Sequence, residues 1–215
     1  MKIFLDTADT FAIRDFFETG LIDGVTTNPT IIAKSGRVPD QVYQKIKEIG
    51  LEDISMEVMG TRSEMYGAGR KLHTQFGECA TIKVPCTPDG LSVCKALSDE
   101  NIRVNVTLIF SSAQAILAAK AGATYVSPFI GRVDDNSFDG VALVKEISTI
   151  YREHLVRTQI LAASVRTVRQ VTDAFVAGAD LVTLPPSIFQ NMYNHILTDK
   201  GLELFDADAK NIKTT

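Results

Sequence analysis

The sequence lacks the features that would tie it to nucleic acid, a membrane or an oxidising compartment. Acidic residues outnumber basic ones, 26 to 22, for a formal net charge of −4. No basic block interrupts that balance, so a nucleic-acid partner is not expected. No run of 18 apolar residues occurs, so no membrane span is expected. The three cysteines, Cys79, Cys86 and Cys94, are spaced C-x6-C-x7-C, which fits neither a zinc site nor a redox C-x-x-C pair. The opening Met1–Asp6 is too short an apolar run for a secretory signal. Together with the odd cysteine count, this leads to the expectation of a reducing, cytoplasmic setting. No G-x-G-x-x-G follows the first apolar run, which weakens a dinucleotide-binding interpretation. His73, His154 and His195 are scattered over expected helices, and no carboxylate cluster has metal-ligand spacing; no metal and no cofactor are expected.

What the chain does have is a regular alternation of short apolar runs and longer amphipathic ones. Hydrophobic residues make up 45% of the 215, ample for a buried core. Strand candidates are Lys2–Leu5, Asp23–Thr26, Asp53–Val58, Thr81–Val84, Ile102–Val106, Thr124–Ser127, Gln159–Ala162 and Leu181–Leu184. Helical stretches between them lie near Thr10–Glu18, Pro29–Lys34, Asp40–Ile49, Ser63–Gln75, Pro88–Ser98, Ser112–Ala119, Gly140–His154 and Val168–Ala177, with Ser187–Leu197 and a last helix near Leu202–Ala209 beyond the eighth strand. Gly131–Asp139 is expected as a polar loop, and the tail after Asp206 is expected to fray. Glycines at 20, 50, 77, 122 and 178 are placed to cap helices in the left-handed conformation. Unbroken strand–helix repetition implies parallel strands with right-handed crossovers. Eight such units give the α/β class, as a single (β/α)8 TIM barrel over residues 1–215 with an extra C-terminal helix; an open doubly wound sheet is the alternative.

In such a barrel, chemistry is built at the carboxyl ends of the strands. Lys83, within Ala80-Thr81-Ile82-Lys83-Val84-Pro85, is the most informative residue there. Lysines are almost never fully buried unless paired, and desolvation favours the neutral amine that Schiff-base chemistry on a ketone needs. The bland alternative is an edge-strand lysine with its head in water. The other strand ends contribute Asp6, Thr26 and Asn28, Glu57, Asn105 and Thr107, Ser127 and Ser164. Each has a structural explanation of its own. Asp6 could cap the first helix, Asn28 before Pro29 could make a turn, Glu57 could be solvated, and Asn105 and Thr107 could tie backbone groups. Converging on one mouth, so many polar groups suggest a ligand site. Arg132 and Arg166 lie just past strands six and seven, where paired guanidinium forks suit a phosphate monoester; pairing with Asp134 and Asp135 is the alternative.

At this point the chain resembles the small transaldolase family, which includes the fructose-6-phosphate aldolases. The matching segments are Phe4-Leu5-Asp6-Thr7, Asp23-Gly24-Val25-Thr26-Thr27-Asn28-Pro29-Thr30, Ile82-Lys83-Val84-Pro85, Asn105-Val106-Thr107-Leu108-Ile109-Phe110-Ser111, Tyr125-Val126-Ser127-Pro128-Phe129-Ile130-Gly131-Arg132 and Ala162-Ala163-Ser164-Val165-Arg166. The resemblance implies Lys83 as the Schiff-base lysine and Asp6 as the acid/base at the C4 hydroxyl. It implies Glu57 with a Thr107-held water as the proton shuttle, and Asn28, Asn105 and Ser127 around the dihydroxyacetone unit. Arg132, Ser164 and Arg166 are implied as a phosphate clamp. The aldolases of this family carry glutamine and tyrosine where this chain has Glu57 and Phe129, so transaldolase is expected over aldolase. Sugar phosphates are the implied substrates, and a homo-oligomer of five or ten subunits is the implied assembly. Cys86 departs from the family's usual larger apolar residue, with packing as the expected consequence and a redox role as the alternative.

Overall fold

The computed structural model describes residues 1–212 and forms a closed barrel of eight parallel strands, each paired with its neighbours in chain order and the eighth with the first. The elements run β1 (Lys2–Asp6), α1 (Thr10–Phe17), β2 (Gly24–Thr26), α2 (Pro29–Ser35), α3 (Pro39–Ile49), β3 (Ile54–Glu57), α4 (Arg62–Phe76), β4 (Ala80–Pro85), α5 (Pro88–Asp99), β5 (Val104–Ile109) and α6 (Ser112–Lys120). They continue with β6 (Tyr125–Pro128), α7 (Ile130–Asp135), α8 (Gly140–Glu153), β7 (Gln159–Ala162), α9 (Val168–Val176), β8 (Leu181–Leu184), α10 (Pro186–Asn191) and α11 (Ile196–Asn211). The (β/α)8 barrel expected from the alternation is therefore the fold. No helix among the described residues is long and apolar enough to cross a membrane.

Side chains along each strand divide between two environments with the period of two that a pleated strand imposes. Leu5, Val25, Ile54, Met56, Ile82, Val84, Val104, Val106 and Val126 pack outward into the layer under the helices. Phe4, Tyr125, Leu161 and Leu181 form a smaller cluster of their own, with Phe4 and Tyr125 edge to face at 6.1 Å. Gly24 makes room for that ring: a Cβ there would sit 2.7 Å from Phe4 Cζ and from the Asp53 carbonyl. Because both faces are buried, the strands read in sequence as nearly continuous apolar runs.

The amino-terminal end of the barrel is closed by a buried polar knot. Asp53 accepts from Thr81 Oγ1 at 2.8 Å, Arg103 Nη1 at 2.7 Å and Tyr125 Oη at 2.7 Å. Arg103 also donates to the carbonyls of Glu52 and Glu78. Burial, and then the Asp53 charge, push the Tyr125 phenol well above its ordinary value, keeping it protonated as a donor.

The structure departs from several of these expectations. Gly131–Asp139 is not all loop, because α7 occupies Ile130–Asp135. Glycine is a poor helix former and advertises a loop, but here it allows close packing: a Cβ on Gly131 would lie 2.2 Å from the Ser164 carbonyl. The stretch Ser187–Leu197 breaks into α10 and the start of α11, where His195 Nδ1 accepts from the Leu197 amide as an N-cap instead of lying in a helix. Helix α11 then covers Asp206 to Asn211, and residues 213–215 of the tail expected to fray lie outside the described residues. The five anticipated cap glycines all have positive φ, but Gly77, at ψ −147°, leads into a 3-10 turn and not a left-handed cap.

Replacing Asp53 by alanine strands Arg103 and the Tyr125 hydroxyl. Breaking a buried pair by removing one partner costs about 3–5 kcal/mol. In urea unfolding, Asp53→Ala is expected to lower the free energy of unfolding by that amount, seen as a lower midpoint at unchanged slope; a loss below about 1 kcal/mol, the worth of an exposed pair, would mean the knot carries no stability.

Candidate functional site

At the opposite end of the barrel the polar side chains predicted from the strand ends converge. Glu57 and Lys83 face each other in register on β3 and β4, and Lys83 pairs in turn with Asn105 on β5. Lys83 is 5% exposed, so the solvated edge-strand alternative does not hold. Its Nζ donates to the Thr27 carbonyl at 2.9 Å and lies 3.0 Å from Glu57 Oε2. Two of its three N–H positions are thus occupied, and the third is left for the cavity beside it.

That cavity, about 100 Å³, is lined by Asp6, Thr26, Asn28, Lys83, Ser127, Phe129, Arg132 and Ser164 among the predicted residues, together with Ala163 and Thr183. Glu57, Asn105 and Thr107 stand behind this wall. Asn105 is fully buried, donating to Ser55 Oγ and accepting from Ser127 Oγ at 2.7 Å, so it orients the serine that does line the cavity. Thr107 Oγ1 is buried without a hydrogen-bond partner among the described residues. It sits beside an irregularity where β5 and β6 slip register between Val106 and Ile109, with Leu108 at φ +59°. Such bulges re-aim side chains and recur next to active sites. Asn28 plays both suggested parts: its Oδ1 caps α2 through the Ile31 amide, and it lines the cavity.

Asp6 does not cap the first helix; Asp9 does, accepting from the amides of Phe11 and Ala12. Asp6 instead accepts from Thr26 Oγ1 at 2.8 Å. Since that hydroxyl has one proton, the 2.7 Å contact between Thr26 and Thr183 must be donated by Thr183, giving a directed chain Thr183 to Thr26 to Asp6. Sequence reasoning missed Thr183, although a threonine inside the apolar run Leu181-Val182-Thr183-Leu184 is a legible signal. The Thr27 carbonyl was also missed, and no sequence signal marks a backbone acceptor.

The two arginines behave differently. Arg132 has no carboxylate partner among the described residues, and its guanidinium lies 5.0 Å over the Phe129 ring, which in turn packs on Phe110. Arg166 lies outside the cavity and forks onto Asp135, with Nη2 at 2.6 Å from Oδ2, which is the ion-pair alternative for this arginine. Ser164, between them, adopts φ +61°, a left-handed conformation that costs a non-glycine residue about 1 kcal/mol or more. Burial pushes the Cys86 thiol up, away from the reactive thiolate, in keeping with a packing role. No group of three or more metal-ligating side chains clusters among the described residues.

The Asp6 carboxyl lies above its ordinary value. Desolvation is the largest cause, opposed by the Thr26 hydrogen bond and the Lys83 charge and reinforced by Glu57. A raised carboxyl favours the folded state while protonated, and this contribution is lost as pH rises from 3.8 through the raised value. Asp6→Asn keeps an acceptor for Thr26 and never ionises. It is expected to melt above the parent at neutral pH and to lose that advantage in acid; an equal difference at both pH values would remove desolvation as the cause.

Comparison with known proteins finds relatives along nearly the whole chain. A family model described as Transaldolase/Fructose-6-phosphate aldolase matches residues 3–215. A "Probable transaldolase" of Caulobacter vibrioides (strain NA1000 / CB15N) is 53% identical over 97% of this chain and 96% of its own length. Proteins of the same name from Paracoccus denitrificans (strain Pd 1222) and Caulobacter sp. (strain K31) are 52% and 54% identical over the same shares. With a buried strand-end lysine at the mouth of a (β/α)8 barrel and this likeness along its whole length, the chain belongs to the transaldolase/fructose-6-phosphate aldolase family.

Proposed function

We propose that the protein is a transaldolase that moves a dihydroxyacetone unit through a Schiff base on Lys83. It would convert fructose 6-phosphate and erythrose 4-phosphate, reversibly, into sedoheptulose 7-phosphate and glyceraldehyde 3-phosphate, the exchange of the pentose phosphate pathway. The observation that carries the proposal is the Lys83 amine, buried between the Thr27 carbonyl and Glu57 and opening on a cavity shared with Asp6.

The amine, once deprotonated, adds to the C2 carbonyl, and loss of water gives a cationic imine. Glu57, 3.0 Å from Nζ, is placed to exchange protons during these steps, with a water held by the unpartnered Thr107 hydroxyl. Asp6 removes the C4 hydroxyl proton, the C3–C4 bond breaks, and its electron pair passes into the imine to give a neutral enamine and the aldose phosphate. The acceptor aldehyde then reverses these steps. Raising Asp6 towards working pH suits a general base. Asn28 and Ser127 hold the hydroxyls of the transferred unit, with Asn105 orienting Ser127, while Arg132, Ser164 and Arg166 take the phosphate and orient the reacting carbon.

The alternative within the family is an aldolase that protonates the enamine and frees dihydroxyacetone. Phe129 favours transfer, because its ring offers no proton beside the enamine and lies under Arg132. A phosphosugar-binding barrel without turnover is disfavoured by the presence of Asp6, Glu57 and Lys83 together. The setting proposed is the cytoplasm and the assembly a homo-oligomer. The apolar side chains that α11 leaves exposed, among them Leu197, Leu202 and Phe205, are available for a neighbouring subunit.

Borohydride reduction with fructose 6-phosphate is expected to leave an adduct on Lys83, mapped by peptide mass, and none in Lys83→Ala. Absence of the adduct in the folded parent would sink the covalent mechanism. Asp6→Asn is expected to keep trapping substrate while losing about 10²–10⁴-fold in kcat, the usual worth of general-base catalysis. Phe129→Tyr is expected to raise dihydroxyacetone release relative to transfer by about tenfold or more, on the same scale of proton-transfer catalysis; an unchanged product ratio would free Phe129 from any part in the choice.

A further inference from the structure

We propose that Asp135 is a latch on the phosphate clamp: it holds the Arg166 fork in the unliganded enzyme and is displaced by the phosphate of the sugar substrate. The proposal rests on the assignment of Arg132, Ser164 and Arg166 as the phosphate subsite and deepens it.

The two clamp arginines start from different states. Arg132 is held by an aromatic face, 5.0 Å from the Phe129 centroid, with its N–H donors unclaimed by any carboxylate among the described residues. Arg166 has both terminal nitrogens on the two oxygens of Asp135. A carboxylate and a phosphate present the same pair of oxygens to a guanidinium fork, so they compete for the same donors. The rest of Arg166 is fixed. Its amide donates to Gln170 Oε1 at 2.8 Å, and a Cβ on Gly131 would lie 3.0 Å from its Nε and 3.2 Å from Ser164 Oγ. Nε and the hydroxyl of the serine that lines the cavity thus both lie beside Gly131, while the outer end is turned to Asp135.

The neighbouring acid does not share this role. Asp134 accepts from the Gly140 amide at 2.9 Å and from Gln170 Nε2 at 2.6 Å, which ties α7 to α8 and α9. Only Asp135 is spent on Arg166. Both partners of that pair are 49% exposed, so it is weak enough for a ligand to open. A dianion bridging Arg132 and Arg166 would break it, whereas a free sugar would leave it closed. Asp135 is thus a positioning residue, and it sets how strongly the enzyme distinguishes a phosphorylated substrate from its phosphate-free counterpart.

The test compares the parent, Asp135→Asn, Arg166→Ala and the double variant with fructose 6-phosphate and fructose as donors, and with inorganic phosphate as a competitive inhibitor. Asparagine keeps the shape and removes the charge. The expected result is a KM for fructose 6-phosphate and a Ki for phosphate each lowered about two- to fivefold in Asp135→Asn, the range an exposed ion pair allows. The KM for fructose should not follow, and the gain should disappear when Arg166 is alanine. A KM for fructose 6-phosphate that is unchanged or raised by Asp135→Asn, while Arg166→Ala raises it, overturns the latch and leaves the clamp standing. A KM indifferent to Arg166→Ala overturns the clamp assignment, and the latch with it.

Discussion

An amine taken out of water sets the terms for the whole barrel mouth. Lys83 Nζ is buried, and a buried cation without partners costs several kcal/mol. The protein meets this cost with a carboxylate 3.0 Å away and a backbone carbonyl at 2.9 Å. Both contacts depend on strand register: β3 sets Glu57 opposite Lys83, and β2 turns the Thr27 carbonyl inward. Asp6 is then the second carboxylate around one cation. Desolvation raises it, and the threonine pair across β2 and β8 steadies it. Shifting any of these strands by one residue would turn its polar side chain into the apolar helix layer.

The two ends of the barrel use buried polar groups in opposite ways. At the amino-terminal end every strong donor around Asp53 is satisfied, and the result is a fixed floor. At the carboxyl end satisfaction is incomplete. Thr107 has a buried hydroxyl with no partner among the described residues, Leu108 and Ser164 are held left-handed, and Arg166 rests on an exposed pair. Strain and unmet hydrogen bonds persist only where the surroundings over-determine them, and the closed sheet below supplies that constraint. The floor is tightly satisfied and the mouth is where this architecture builds its sites.

Much of this was legible without coordinates, for a reason that particular residues make plain. Parallel strands buried on both faces must be apolar, so polar residues such as Asp6, Glu57, Lys83, Asn105 and Ser127 stand out against the runs that contain them. What escaped was whatever depends on backbone direction or on a distant partner. The Thr27 carbonyl carries no residue signature. Asn105, expected beside the transferred unit, is fully buried and hydrogen-bonded to Ser55 and Ser127. Gly131–Asp139 reads in sequence as a polar, acidic loop, where the structure has the short helix Ile130–Asp135. Contact with the Ser164 carbonyl is what makes a glycine necessary there.

By itself the sequence pointed to the order of strands and helices, the (β/α)8 architecture and Lys83 as the lysine proposed to carry the chemistry, because alternation of apolar runs and the rarity of a buried cation are local properties of the chain. Only the tertiary structure decided which side chains touch. It placed Glu57 on Lys83 and Thr26 on Asp6, moved Asn105 behind Ser127, left Arg132 over an aromatic ring, and gave Arg166 to Asp135. Those pairings depend on register across the closed sheet and on the path of loops past the strand ends, and neither is encoded within any one segment.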